Sequence, residues 1–258
     1  MDNKALKQTY DKMHEQGPDA WFGDGKEEAE VILDLGGDWY KNNILEIGCG
    51  EGELAYAISQ KSPACIVWAI DYSETAVLKA VERFKDADRI HFGIKDYRDL
   101  TDGIRYDRIV MMGVLEHLDD PFKELKWMID NLLVEHGDVI TSSPAFLNPR
   151  GFIWMTLNML GAVMSKTDLH YLNVWDFKAF CEKHKYQLTA NRSADQDWGG
   201  GQRMIDDYQK RLPLALKDGN ITYKKRDFDK FMKWLAKVVE YTESAKMPGA
   251  TTVYRIQT

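Results

Sequence analysis

In ILEIGCGEGELA, residues 44 to 55, a carboxylate and three alternating glycines stand between an aliphatic run and the start of a helical pattern. Glu46 lies inside the apolar run, where an acid needs a partner, and Gly48, Gly50 and Gly52 follow at every second position. Three alternating glycines exceed what a simple turn requires and let a ligand come close to the backbone. With a helix beginning near Glu51, its N-terminus and free amides face whatever lies beyond the strand. A dinucleotide fingerprint places glycines at its first, third and sixth positions. Counted from Gly48, the sixth position is Glu53, which would crowd helix against strand, and Glu51 adds negative charge where a pyrophosphate would sit. The spacing found, acidic-x-Gly-x-Gly-x-Gly, suits a ligand with an amino-acid end and no phosphate, its ammonium engaged by Glu46 directly or through water.

The surrounding pattern supplies the elements that must hold this stretch. Short apolar runs bounded by turn or polar residues predict strands at 44–48, 66–70, 89–93, 107–112 and 138–142. Helical segments are expected near 51–60, 73–85 and 120–134. Strand and helix in alternation, with crossovers this long, mean a parallel sheet covered on both faces. After 142 the rhythm breaks. Residues 143–173 form an insertion, 174–183 reads as a helix, 185–190 as a sixth strand and 251–257 as the last, with a mostly helical stretch between. Two insertions, 143–173 and 191–250, thus flank the carboxyl ends of the strands, where open α/β folds place ligands.

At this point the chain resembles the class I S-adenosylmethionine-dependent methyltransferases, over roughly residues 40 to 190. The resemblance implies one domain spanning 1–258, with a Rossmann-like, doubly wound, seven-stranded and mostly parallel sheet. Its last strand is antiparallel, residues 1–40 form an N-terminal helical cap, and the helical insertions form a lid on the substrate side. It also implies a cofactor site for S-adenosyl-L-methionine built from Glu46, Gly48, Cys49, Gly50 and Gly52. Asp71, in WAIDYS, is placed as the acid that accepts both ribose hydroxyls, and Tyr72 lies where an aromatic packs on adenine. In IKDYRDL, Asp96, with Tyr97 beside it, corresponds to the residue that accepts from the adenine amino group. VMMGVLEHLDDP looks like the segment beneath the sulfonium, with Met112 near the methionine end. In related methyltransferases an aromatic N-terminal segment folds over the cofactor; here Trp21 is placed toward the cofactor and Tyr10 toward the substrate.

Methyl transfer from a sulfonium needs an aligned nucleophile and an excluded solvent more than it needs a reactive side chain. A hydroxyl acceptor requires a base, and His117, with Glu116 and Asp119 nearby in sequence, is the first candidate; the alternative is a ring that hydrogen-bonds locally to shape the loop. His170, between Asp168 and Tyr171, is the second candidate and is balanced by simple loop packing. Substrate choice falls to the insertions, with Arg150, Tyr171, Trp198 and Arg203 as candidate contacts. Arg150 either pairs with an anionic group or is a solvated first-turn residue, the latter preferred. The glycine run in DQDWGGGQRM is expected to be a loop that hinges a lid or an irregular connection. Cys49 reads as small packing, since no basic neighbour in sequence would lower its pKa.

The chain's 258 residues, 44% hydrophobic and 29% charged, can bury a full core. A net charge of -7 argues against a broad basic surface for nucleic acid. Three cysteines without CxxC spacing suggest neither a disulfide framework nor a zinc site, and fit a reducing cytoplasm. The longest apolar stretch, 151–164, has 14 residues and is too short to span a bilayer, which needs about 20. The expected partner is a small-molecule substrate, with no nucleic acid, no metal and a homodimer allowed through the aromatic and aliphatic face of 228–241. LEHLDDP and DLHYLNVWDFKAFCEK look like bacterial small-molecule methyltransferases, and the absence of an NPPY-type segment lowers base N-methylation. The expected reaction is methylation of a hydroxyl, or an amine, of a small polar metabolite such as a sugar or natural-product intermediate. The alternatives are RNA or protein methylation, a non-catalytic cofactor-binding subunit, or an oxidoreductase.

Overall fold

The computed structural model describes residues 3–16, 25–40, 43–100, 103–162, 164–165, 167–245 and 248–258. The sheet order among them is β3-β2-β1-β4-β5-β7-β6, and the last strand is antiparallel. In chain order the elements are α1 (Asn3–Gln16), α2 (Lys26–Gly36), β1 (Asn43–Ile47), α3 (Glu53–Ser59), β2 (Ile66–Asp71), α4 (Glu74–Arg83) and β3 (Ile90–Ile94). There follow β4 (Tyr106–Met112), α5 (Pro121–Leu132), β5 (Leu133–Pro144), α6 (Pro149–Met159), α7 (Val174–His184) and β6 (Gln187–Ala194). The chain ends with α8 (Gln196–Gly200), α9 (Gln202–Asp218), α10 (Lys225–Ala245) and β7 (Thr251–Gln257). This is the Rossmann-like architecture expected from the alternation of strands and helices.

Local chemistry accounts for the helix starts. Ser73 caps α4 by accepting from the Ala76 amide, Asp120 caps α5 ahead of Pro121, and Asn148 caps α6 ahead of Pro149. Helix α3 begins at Glu53, two residues later than its pattern suggests, because Gly52 is still left-handed at φ +86°. Strand β5 begins at Leu133, ahead of the expected residue 138. Leu133 pairs with Tyr106 and Asp138 with Arg108, so β5 bulges outward between them, with His136 at φ 62°. The exposed Glu135 and His136 break the apolar alternation there and hide the first leg of the strand from a sequence reading.

The chain forms two compact units. The first comprises 1–143, 174–191 and 253–258; the second comprises 144–173 and 192–252. In the first, Ile32, Leu35, Ile58, Val67, Val110 and Ile140 belong to one core, which includes residues from both sheet and helices. In the second, Trp154 and Leu157 of α6, Tyr208 and Leu212 of α9, and Leu235 and Val239 of α10 form a separate core. The glycine run at 199–201, expected as a loop, falls in α8 and at its cap. A Cβ on Gly199 would lie 2.6 Å from the Gly249 carbonyl carbon, so glycine there serves close backbone packing.

A buried ion cluster joins three strands of the first unit. Asp138 accepts from Arg108 Nε at 2.6 Å and Nη2 at 2.9 Å, and from Arg255 Nε at 2.7 Å. Arg108 also lies over the Trp39 ring at 4.4 Å. Removing one partner of such a cluster strands the others in low dielectric, at a cost of about 3–5 kcal/mol. Asp138→Ala is therefore expected to lower the unfolding free energy by about that amount in a urea titration, and a loss below ~1 kcal/mol would mean that water reaches the arginines.

Candidate active site

Strand order reverses between β1 and β4, which pair in register from Ile44↔Arg108 to Ile47↔Met111. This is the switch point at which open α/β sheets bind ligands beyond the carboxyl ends of their strands. The glycine loop sits there. Gly48, Gly50 and Gly52 all have positive φ, of 76°, 51° and 86°. A Cβ on Gly48 would meet Val114 at 2.6 Å and one on Gly52 the Phe92 ring at 2.8 Å, whereas one on Gly50 would have only His14 near it, at 3.6 Å. The outer two glycines thus seat the loop against the fold and the middle one keeps its backbone open.

Two carboxylates flank the loop, both pushed up by burial but partnered differently. Glu46 is 1% exposed, and its Oε2 has no hydrogen-bond partner. Burial, then the charges of Asp71 and Glu53, raise its pKa well above the ordinary 4.5. Asp71 is held by backbone amides: Oδ2 accepts from Gly50 at 2.9 Å and Oδ1 from Ser73 at 2.8 Å. Burial raises Asp71 too, and these amides oppose the rise. Asp71 keeps acceptor capacity beyond these amides. Cys49 is buried, and its thiol is pushed well up by burial first and then by Glu46 and Asp71, so it is no nucleophile at neutral pH.

Helix α1 is fastened to these loops by contacts that sequence reasoning missed. Asp11 accepts from the Ser73 hydroxyl at 2.5 Å, and His14 Nδ1 lies 3.1 Å from Glu51 Oε1. Lys79 reaches the same Glu51 oxygen at 3.0 Å and also the His14 carbonyl. Burial would raise Glu51, but hydrogen bonds from Lys79 and His14 outweigh it and leave the carboxyl below its ordinary value. The Tyr10 ring stands edge-on to Tyr72 at 6.1 Å and to His117 at 5.6 Å. Tyr10, Asp11 and His14 lie on one side of α1, a spacing that could have marked them. Trp21 lies outside the described residues.

Beyond β4, Gly113 takes φ +67° and donates to the Ser142 hydroxyl at 3.0 Å. Glu116 is 2% exposed; Ser143 donates to its Oε2 at 3.3 Å, and its Oε1 lies 4.0 Å from His117 Nε2. The consecutive serines closing a buried strand were a legible but unused signal. Met112 is partly buried, at the end of β4. Asp96 caps a short 3-10 turn by accepting from the Arg98 amide, and the buried Tyr97 donates to Glu124 at 2.8 Å.

The remaining candidates belong to the second unit. His170 and Tyr171 follow α6 in sequence; the Tyr171 ring packs edge-on against Phe146 at 4.8 Å, and its hydroxyl accepts from Asn158. Arg150 is not the solvated first-turn residue that was preferred. Its side chain is 13% exposed, over the Trp154 ring at 4.4 Å and near Trp198 at 6.0 Å. It turns inward because α6 presents Arg150 and Trp154 on the same side, four residues apart. Arg203 is half exposed and pairs with Asp197 at 3.6 Å.

The carboxyl of Glu46 gives a sign-definite test. A raised pKa means that the native state holds the proton more tightly than the unfolded chain, so this group's contribution is full below the ordinary value and is lost as pH rises through the raised one. Glu46→Gln is therefore expected to make the free protein more stable at pH 7, by about 1 kcal/mol or more, and to flatten the decline of Tm between acidic and neutral pH. An unchanged Tm–pH profile would show that Glu46 is neutralised by other means.

Comparison with known proteins agrees with this geometry. Residues 45–139 match the family model described as a methyltransferase domain. The mitochondrial ubiquinone biosynthesis O-methyltransferase of Candida albicans is 26% identical over 164 residues, 59% of this chain and 49% of that protein. The matches span between 22% and 49% of the lengths of these curated relatives. The N-methyltransferase NodS of Bradyrhizobium japonicum WM9, solved with S-adenosyl-L-homocysteine, is 14% identical with a TM-score of 0.58, covering 98% of this chain and 97% of that one. A Haloferax volcanii complex of the Trm112 methyltransferase activator with a methyltransferase gives 14% identity and a TM-score of 0.64, covering 96% of each chain. Together with the strand order, these findings show that residues 45–139 are similar to a methyltransferase domain and that the chain shares the Rossmann-like fold of solved methyltransferases.

Proposed function

We propose that the chain transfers a methyl group from S-adenosyl-L-methionine to a hydroxyl, or an amine, of a small polar metabolite. The observation that carries this reading is the unpartnered Glu46 carboxyl oxygen, buried beside a loop whose backbone is left open at Gly50 and across from an amide-held Asp71. This donor set fits the cofactor: Glu46 suits an ammonium, Asp71 suits two ribose hydroxyls, and Glu51 with Glu53 disfavours a phosphate. The family match over residues 45–139 and a structural neighbour solved with S-adenosyl-L-homocysteine support the same choice. In this reading residues 1–40 cap the site, and 143–173 and 191–250 serve the substrate side.

When bound, the cofactor supplies an electrophilic methyl carbon with a neutral thioether as leaving group. The protein's part is to bind, align and exclude water. Ionised Glu46 would hold the amino-acid end, and Asp71, its oxygens aimed by the Gly50 and Ser73 amides, the ribose. Tyr72 would pack on adenine and Asp96 accept from its amino group. Tyr10, on a helix tied down through Asp11–Ser73 and His14–Glu51–Lys79, would keep solvent out. His117 would take the proton from a hydroxyl acceptor, with Glu116 positioning its ring and opposing the charge it gains. Oxygen acceptors are favoured because this base stands at the β4 end; curated relatives include both O- and N-methyltransferases.

No helix among the described residues is long and apolar enough to cross a membrane, and no group of three or more His, Cys, Asp or Glu among them could hold a metal ion.

Calorimetric titration with S-adenosyl-L-homocysteine should show Asp71→Asn and Glu46→Gln each weakening affinity about tenfold or more. His117→Ala should leave affinity within about twofold while lowering turnover by a factor of about 10² to 10⁴, read by mass spectrometry as methylated product. Equal loss of affinity and turnover in His117→Ala would remove the base assignment. An absence of binding by the unaltered protein would remove the whole reading.

A further inference from the structure

Within the second unit, α6 and α9 face one another across a polar stripe set in an apolar core. Arg150, Trp154 and Asn158 recur at every fourth residue on one side of α6. Opposite them, Asp207 and Arg211 stand one turn apart on α9, and Tyr208 between them donates to the Arg150 carbonyl at 2.7 Å. Trp154 lies between two guanidinium groups, at 4.4 Å from Arg150 and 5.3 Å from Arg211.

This stripe holds four buried side-chain atoms without a hydrogen-bond partner: Arg150 Nε, Trp154 Nε1, Asn158 Oδ1 and Asp207 Oδ2. Among the described residues there are eight such atoms in all, so half fall in this one cluster. Buried polar atoms are almost always paired, by protein or by something bound. Trp154 is 3% exposed and Asp207 9%, so bulk water does not satisfy them. Arg150 Nε and Asp207 Oδ2 stand 4.0 Å apart, too far to satisfy each other. Asn158 spends its amide nitrogen on the Tyr171 hydroxyl and leaves its oxygen over.

We propose that this cluster is a binding site for a small polar metabolite carrying an oxyanion beside a hydroxyl or ammonium group. The oxyanion accepts from Arg150 Nε and the Trp154 indole N–H, and the hydroxyl or ammonium donates to Asp207 Oδ2 and Asn158 Oδ1. Two orphan donors and two orphan acceptors call for a ligand with both kinds of group. The charges agree: Arg150 and Arg211 stand against Asp207 and Asp168, so a zwitterion enters without adding net charge, and an oxyanion brings its charge beside two guanidinium groups. Burial depresses Arg150 from its ordinary range, as expected of a guanidinium short of partners, with Asp207 and Asp168 opposing that fall and Arg211 adding to it. Stacking on Trp154 fixes the guanidinium plane and leaves its N–H edge available.

The site does not depend on methyl transfer, and its test needs no cofactor. The Trp154 indole N–H resonance, assigned with Trp154→Phe, is followed by NMR while serine, glycerate, glycerol 3-phosphate or glycerol is added to the cofactor-free protein, and binding heats are measured in parallel. The expected result is a shift of that resonance with at least one of the three oxyanion compounds and none with glycerol, with affinity weakened tenfold or more in Trp154→Phe and Arg150→Gln. Trp154→Phe removes one donor while keeping an aromatic ring, so it keeps the test available where Arg150→Gln fails to fold. A resonance unmoved by all three compounds, or binding that Trp154→Phe leaves intact, would overturn the proposal.

Discussion

A carboxyl group buried at the end of a central strand with one oxygen unpaired is the constraint around which the first unit is organised. Keeping Glu46 ionised in that place costs several kcal/mol, and the native chain meets the cost by raising the group's pKa. Such a group is costly to keep in a core, and a cationic end of a ligand would reverse its sign from penalty to attraction. The neighbouring features follow the same logic. Gly50 leaves the backbone open to the approach, Gly113 and Ser142 shape the next loop, and Glu51 is tied to Lys79 and His14.

Asp71 shows the complementary solution. It is almost as deeply placed, yet its oxygens are aimed by two backbone amides from separate loops. One carboxylate is therefore prepared to accept hydroxyls without moving, while the other waits for charge. In the proposed reading that difference puts the amino-acid end of the cofactor at β1 and its sugar end at β2.

The sheet was legible because its strands are continuous apolar runs, and the loop was legible because an acid and three glycines obey a strict spacing. What escaped was set by partners distant in sequence. Lys79 sits in an ordinary helical stretch, and only the fold brings it to Glu51, 28 positions earlier. Arg150 follows Pro149 at a helix start, where solvent exposure is the usual outcome, and only the fold brings Trp198 and Asp207 to it. The start of β5 was hidden by the exposed Glu135 and His136 in its bulge, and the glycines of α8 read as a loop because their packing against Gly249 lies fifty residues downstream. Chemistry carried by contiguous residues was readable; chemistry assembled by topology was not.

The central claim is that burial makes the Glu46 carboxyl hold its proton more tightly in the free protein than it does against a cationic ligand. It is tested most directly by titrating S-adenosyl-L-homocysteine into the protein in two buffers of different ionisation enthalpy, between roughly pH 5 and 7. The account predicts a buffer-dependent heat corresponding to net proton release, absent in Glu46→Gln. Binding with no proton released, or the same release in Glu46→Gln, would contradict it.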